Sequence, residues 1–473
     1  MFSFNNHPIY VAGKFINTNT ILPVNNPYNN SVFGSTFLAG EQELETALRE
    51  AHKVSNELAG LPSYLRSEIL LQISAQLKEN RQMIASAIAG ESAKPVKFAL
   101  AEVDRSVQVF NIAAEECKRI PVENMQLDWT AAGTGKQGML SYFPAGIVLG
   151  ITPFNFPLNL VAHKVAPAIA AGCPIIIKPS SSTPLTALLL ASIIDNTLLP
   201  KGAVSVLPAK HEIIESLFDD DRIAIISFTG SPAAGWKIKK TAYRKKVVLE
   251  LGGNAGVLIT AGTDIKSAVA KCVNGAFAFS GQVCIHTQRI YVERDIFDEF
   301  AGKMISEVAK LKSGNPLLPE TDISTMIDNN NTLRIKEWID EALENGAILL
   351  SGGNIVNGIV QPAVLTNTKQ GMKVCCEEVF GPVVIIEPVD SFEEGIIEIN
   401  KSQFGLQAGV FTNKLDQIKY AYNNLQVGAV IINDVPTFRV DHMPYGGIKN
   451  SGVGREGVKY AMLGMMEPRL LVY

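Results

Sequence analysis

Apolar residues recur at three- and four-residue intervals from about Glu41 to Glu116, as in ELETALREAHKVSNELA and RSEILLQISAQLKENRQMIASAIA. That spacing lines one face of a helix, and breaks at Gly60-Leu61-Pro62 and near Gly90 divide the stretch into successive helices. From Gly146 the period changes. Short β-branched runs (GIVLGIT, PIIIKP, AVSVLP, RIAIISFTG) alternate with helical stretches (NLVAHKVAPAIAAG, LTALLLASIIDNT, SPAAGWKIKKTAY). Continuous apolar strands separated by helices predict a parallel sheet covered on both faces. A second α/β region runs from about Gly256 to Pro436, with VLIT, RIYV, AILLSGG, VVIIEPV and GAVIIND as its strands. Between the first helices and the first strand, IPVENMQLDWTAAGTGKQGMLSYF keeps neither period and reads as an extended arm or a pair of edge strands.

Composition narrows the class. At 473 residues the chain is too long for one core and calls for two or three domains. Apolar residues make up 47%, charged residues 19%, and the net charge is −4 with no block of one sign, which argues against nucleic acid or an anionic membrane as partner. The start, MFSFNNHPIYVAGKFI, reads as a small strand pair rather than a secretory signal, and no apolar run approaches the length of a membrane helix. The six cysteines (117, 173, 272, 284, 375, 376) show no C-x-x-C and no metal-like spacing. A reducing, cytoplasmic setting with free thiols and no bound metal is expected.

Two literal matches to G-x-G-x-x-G, GTGKQG (133–138) and GVGREG (452–457), lack the strand–turn–helix context that aims backbone N–H groups at a pyrophosphate. Better phosphate sites do not match the pattern. RIAIISFTG is a strand, Ser231 a helix N-cap, Pro232 a first helical residue, Gly230 lets the turn close, and Gly235 permits close approach of a neighbouring surface. Lys178 ends the buried strand PIIIK, where open α/β sheets bind ligands, although a lone lysine there also fits a solvated loop. ITPFNFPLN holds Asn155 in a stiff loop. VVLELGG puts Glu250 at the end of an apolar strand, where desolvation raises a carboxylate toward the range of a general base. Cys284, in FSGQVCIHTQRI, is open to three readings: one more buried thiol, a nucleophile served from elsewhere, or half of a Cys284/His286 dyad of a cysteine hydrolase or acyltransferase.

Taken in order, PFNFP, IIIKPS, SFTGS, LELGGN, SGQVC, EEVFGPV and PYGGIKNSGVGRE span Ile151 to Glu456, and on them the chain resembles the NAD(P)-dependent aldehyde dehydrogenase superfamily over nearly its whole length. The resemblance implies an α/β fold with a Rossmann-like parallel-sheet cofactor domain, an α/β catalytic domain and a β-arm for oligomerisation. It implies that Cys284 attacks an aldehyde as thiolate, from a free-thiol pKa of about 8.5. The side-chain N–H of Asn155 and the backbone N–H of Cys284 would hold the alkoxide, donors worth roughly 3–4 kcal/mol each in acyl chemistry. Hydride leaves to nicotinamide, and Glu250, with glycine neighbours suited to a swinging side chain, activates the water that hydrolyses the thioester. Cofactor contacts would come from Glu378 and Phe380 at the nicotinamide ribose, Gly230 and Ser231 at the pyrophosphate, Lys178 at the adenosine ribose, and Ile151, Pro153 and Phe154 along the strand end. A catalytically silent binding relative is the remaining alternative, and retention of Cys284, Glu250 and Asn155 together argues against it.

Many NAD-preferring relatives carry glutamate three residues after the lysine, whereas this chain has Ser181. A serine can donate to a 2′-phosphate that a carboxylate would repel, so NADP should be accepted alongside NAD; the plainer alternative is that Ser181 merely removes discrimination. Phe154, Phe156 and Phe438 are candidates for an apolar entrance. Arg105, Arg439 and His442 are candidates for reading an anionic or hydroxylated tail, although each arginine also fits a structural ion pair. Together they suggest a small polar aldehyde, and NDVPTFRVDHMPYGG resembles the lactaldehyde dehydrogenase-like branch. The expected parts are a cofactor-binding domain (1–121 and 142–252), a catalytic domain (253–440) and an oligomerisation arm (122–141 and 458–473). Exposed arm edges call for a homodimer or homotetramer.

Overall fold

The structure, a computed structural model, describes residues 4–473; residues 1–3, the first of the expected N-terminal segment, lie outside the described residues. Five parallel strands form the centre of an eight-stranded sheet, in the order Val204–Val206, Ile175–Lys178, Ile147–Ile151, Ile223–Thr229, Lys246–Glu250. Their β-branched residues are buried, as continuous apolar runs require, except Val247 and Val248 of the outermost of the five, which are half-buried. The chain starts at Ile147–Ile151, steps outward one way, then crosses to Ile223–Thr229 on the other side. Strand order therefore reverses between these two, and the crevice beyond their carboxyl ends is where such sheets bind ligands. Ile9–Val11 and Lys14–Ile16 form the expected N-terminal pair at one edge, and Gly452–Val453 pairs antiparallel with Leu249–Glu250 at the other.

Helices Glu41–Gly60, Ser63–Glu79, Arg81–Ser92 and Val96–Glu116 account for the first periodic stretch. The break expected near Gly90 is instead at Ala93, which takes a left-handed conformation (φ 56°) just before Pro95. Gly90 lies inside its helix, where a Cβ would come 2.2 Å from the Phe33 ring, so packing rather than a turn requires the glycine. Helix Asn159–Ala171 is buried along its whole length.

A second sheet of seven strands runs Ile348–Ser351, Ala363–Thr366, Val383–Val389, Thr287–Glu293, Ala255–Ile259, Gln407–Phe411, Ala429–Ile432, parallel except for the first. The aperiodic stretch forms strands Glu123–Gln126 and Gln137–Pro144, which join Met466–Val472 in a separate antiparallel sheet with Met466 opposite Pro144 and Val472 opposite Gly138. That sheet extends past residue 141. Residues 458–464 do not join it: helix Val458–Gly464 buries Val458 and Met462 in the core shared with Asn159–Ala171. GTGKQG leads into strand Gln137–Pro144, while GVGREG is followed by helix Val458–Gly464 but carries only the two-residue antiparallel edge strand Gly452–Val453, not the parallel strand the fingerprint needs. Among the described residues no helix is long and apolar enough to cross a membrane.

Candidate active site

The segment that carries Cys284 is bent by three successive left-handed residues, Phe279 (φ 52°), Ser280 (φ 54°) and Gly281 (φ 70°), directly after helix Ile265–Phe277. Two of these are not glycine and cost on the order of 1–3 kcal/mol each, which the surroundings must offset. Ser280 Oγ donates to the Ser324 carbonyl (2.8 Å) and accepts from the Ser324 N–H (3.2 Å), while Gln282 Oε1 accepts from the Ile327 N–H (3.0 Å). The bend delivers Cys284 into a cavity of about 410 Å³ at the sheet's reversal point. Asn155 is tied to the same segment, its Nδ2 donating to the Gln282 carbonyl at 3.1 Å, and its buried Oδ1 has no partner. Burial pushes the Cys284 thiol up to about 11, against a 3.1 Å hydrogen bond with Tyr445 Oη.

Glu250 faces the same cavity from the last position of its strand, between Thr229 and Gly452. It is 3% exposed, and neither carboxylate oxygen has a hydrogen-bond partner. Burial first, and the negative charge of Glu456 second, raise its pKa well above the usual carboxylate value. The two glycines that follow have a different use from the flexibility expected for them. A Cβ on Gly252 would lie 2.5 Å from a Glu378 carboxylate oxygen, and one on Gly253 would lie 2.1 Å from the Cys284 carbonyl oxygen. Glycine here lets three distant segments meet. Gly253 N–H donates to Glu378 Oε1 (2.9 Å), and burial pushes Glu378 up to about 7. Phe380 and Phe154 meet edge to face, centroids 5.9 Å apart, at the cavity wall.

A second cavity, of about 500 Å³, shares Pro153, Phe154, Gly230 and Ser231 with the first and continues to Ile151, Lys178 and Ser181. Ser231 caps helix Pro232–Thr241, accepting from the Ala234 N–H, and the helix opens on this cavity. A Cβ on Gly235 would lie 2.4 Å from Leu251, the close approach expected of it. Lys178 is 3% exposed, and burial pulls its ammonium down to about 8. Among the described residues no carboxylate pairs with it.

At the far end of the first cavity, Arg105 donates twice to Asp441 (2.6 and 3.2 Å), which also takes a 2.8 Å contact from His163 Nε2. Burial opposes ionisation of Asp441, but His163 and Arg105 outweigh it and hold the carboxyl well below its usual range. Arg439 also lines the cavity, its guanidinium 3.6 Å from the Tyr445 ring centroid. The Phe156 ring has Lys94 Nζ 3.8 Å and the Arg105 guanidinium 5.9 Å from its centroid. Phe438 and His442 do not reach the cavity. A turn closed by Phe438 N–H to the Val435 carbonyl carries Phe438 outward, and His442 is exposed beside buried Asp441. His286 lines neither cavity; it is buried, with burial pulling it down to about 4, and Cys284 Sγ pairs with Tyr445 instead.

Sequence reasoning passed over Tyr445, Asp441, Glu456 and Lys164. Lys164 Nζ donates to Ser227 Oγ and Thr229 Oγ1 (both 2.9 Å) and to Glu456 Oε1 (3.1 Å), directly behind Glu250's strand. Its signal was a single lysine, next to His163, in the largely apolar NLVAHKVAPAIAA. Tyr445 and Glu456 lay inside a motif read for its glycines.

The profile of the Aldehyde dehydrogenase family matches residues 15–471. The 3-sulfolactaldehyde dehydrogenase of Priestia aryabhattai is 38% identical, over 98% of this chain and 97% of that protein. Among solved structures, aldehyde dehydrogenase 21 from Physcomitrella patens, in complex with the reaction product succinate, superposes with a TM-score of 0.98 at 40% identity, covering 100% of this chain and 99% of that one. The NADP-dependent glyceraldehyde-3-phosphate dehydrogenase of Bacillus halodurans C-125, complexed with NADP, gives a TM-score of 0.96 at 32% identity over 100% and 99% of the two chains. This chain belongs to the aldehyde dehydrogenase family.

Proposed function

We propose that the protein oxidises a small aldehyde with an anionic tail to its carboxylic acid, using NADP or NAD. The observation that carries this reading is one cavity uniting Cys284, Asn155, Glu250 and Glu378, continuous with a second that ends at an unpaired, buried Lys178. The residues fit the cofactor. The lone ammonium of Lys178 calls for ribose or phosphate oxygens, the N-terminus of Pro232–Thr241 suits a pyrophosphate, and Glu378 keeps an oxygen free beside Gly253 for a ribose hydroxyl. With Ser181 beside Lys178, a 2′-phosphate meets no carboxylate at that position, and NADP is accepted. When bound, the nicotinamide supplies the two-electron oxidant by taking hydride from the substrate carbon.

The chain's own residues do the rest. Cys284 forms the bond to the aldehyde carbon, and the Asn155 amide and the Cys284 N–H hold the resulting oxyanion. Glu250, buried and without a fixed partner, takes a proton from the water that cleaves the thioester. Arg105 and Arg439 receive the tail, which agrees with the sulfonate and carboxylate of the two relatives' named compounds. A dyad hydrolase using His286 has no support in this geometry. The exposed Phe143, Leu470, Leu471 and Val472 of the arm sheet fit pairing with a second copy in a homodimer or homotetramer, and six free thiols fit the cytoplasm.

The test is a panel of neutral, carboxylated and sulfonated aldehydes, read at the absorbance of reduced nicotinamide with NAD and NADP separately. Turnover concentrated in the anionic members supports the reading. Turnover of neutral aldehydes alone refutes the tail assignment, and no turnover at all refutes the reaction.

A further inference from the structure

One hydroxyl in the cavity has no part in the chemistry above, yet it touches the reacting atom. Tyr445 is buried, and its Oη lies 3.1 Å from Cys284 Sγ. Its position is fixed from both ends. The Tyr445 N–H donates to the Glu456 carbonyl (3.0 Å) and the Glu456 N–H to the Tyr445 carbonyl (2.6 Å), while the Arg439 guanidinium covers the ring at 3.6 Å. In the resting thiol either atom can donate. Once Cys284 loses its proton, sulfur has nothing to give and only the phenol can supply the hydrogen bond. A cation on the ring face draws density from the phenol and strengthens it as a donor. Burial and the facing Cys284 push Tyr445's own ionisation well above the usual range, so the phenol keeps its proton.

We propose that Tyr445 is a further catalytic residue, donating a hydrogen bond to the Cys284 thiolate both as it attacks and as it leaves. The inference rests on the reading of Cys284 as the nucleophile. In the first stage the S–H bond breaks, its electron pair stays on sulfur, and the proton passes to water in the cavity and from there to solvent. Sulfur's lone pair then forms the C–S bond while the carbonyl π pair moves to oxygen. In the last stage water forms the C–O bond, Glu250 takes the water's proton, the C–S bond breaks, and its pair returns to sulfur. The Tyr445 proton remains on its oxygen throughout. The other ionisable groups facing the thiol are Glu378, Arg439 and Glu250, and among the influences that favour the thiolate, the Tyr445 hydrogen bond is the largest.

A hydrogen bond to a charged partner corresponds to a shift of about one to two pH units in the thiol. A thiol made less acidic by one unit carries about tenfold less thiolate, but each thiolate is about threefold more nucleophilic. The net effect on attack is therefore about threefold, and departure is slowed as well.

The test is the rate of iodoacetamide labelling of Cys284 against pH, read by mass spectrometry of its peptide, for the full-length protein and for Tyr445→Phe. Labelling about threefold slower between pH 6 and 9, with the profile displaced upward by about one unit, is expected. Replacing Tyr445 by a fluorotyrosine with a more acidic phenol should displace it downward, which separates hydrogen bonding from packing. Superimposable profiles in both variants, or displacement of both in the same direction, overturn the proposal. Labelling needs neither aldehyde nor cofactor, so a failure of the dehydrogenase reading would show in the substrate panel and not here.

Discussion

Replacing Glu250 with glutamine changes one heavy atom of a side chain whose two oxygens have no hydrogen-bond partner among the described residues. No partner is orphaned, so fold and first-half chemistry should survive while the base is lost. A general base contributes about 10²–10⁴-fold, and steady-state turnover should fall by about that factor. Hydride departs before the water is needed, so stopped-flow absorbance should record a burst of about one reduced cofactor per active site, then a stall. Stability offers a second reading. Burial and Glu456 raise Glu250 in the folded state, while the unfolded chain keeps an ordinary glutamate. The folded protein thus holds this proton more tightly than the unfolded one. The stability linked to it is fully present below about pH 4 and is lost as pH rises toward the raised value. Glutamine suffers no such loss, so the Tm of Glu250→Gln should match that of the wild type near pH 4 and exceed it increasingly toward pH 8. A variant with no burst, or with a Tm difference that shrinks as pH rises, would refute the reasoning.

Ser181→Glu places a carboxylate where a 2′-phosphate would sit; at this exposed position repulsion should lower kcat/KM for NADP by about tenfold and leave NAD nearly unchanged. Equal use of NADP by both proteins would contradict the cofactor assignment. Arg105→Met should lower kcat/KM by about 10- to 100-fold for a carboxylated aldehyde, and by far less for a neutral aldehyde of equal length, in parallel kinetic assays. Gly253→Ala forces a methyl against the Cys284 carbonyl, 2.1 Å away before relaxation. Misplacing the nucleophile by about 1 Å should cost about 100-fold in turnover, and overpacking about 1–3 kcal/mol in chemical denaturation.

What could be read from the sequence was whatever a short window contains. The run IIIK announces a buried strand ending in a cation, and Ser231-Pro232 announces a helix start, because N-capping and proline geometry are local. Contacts between distant segments were not legible. Gly252 and Gly253 looked like slack for Glu250, but their need arises from Glu378 and Cys284 arriving from elsewhere in the chain. Asp441 looked like one charge in a loop until the fold set it between Arg105 and His163. That Arg439 lines the cavity while its neighbours Phe438 and His442 do not was equally illegible, because a turn of the folded chain sets which of them faces inward. His286, two residues from the nucleophile, is farther from its chemistry than Tyr445, 161 positions away in sequence.

A thioester on Cys284 is the intermediate that distinguishes the proposed reaction from any other use of this cavity. Mixing Glu250→Gln with NADP and a four-carbon semialdehyde, quenching in acid and digesting allows the Cys284 peptide to be weighed directly. A mass increase of the acyl group less one hydrogen is expected on that peptide, at near one equivalent per chain and absent without cofactor. An unmodified Cys284 peptide after a full burst of reduced cofactor, or the acyl group on another residue, would contradict it.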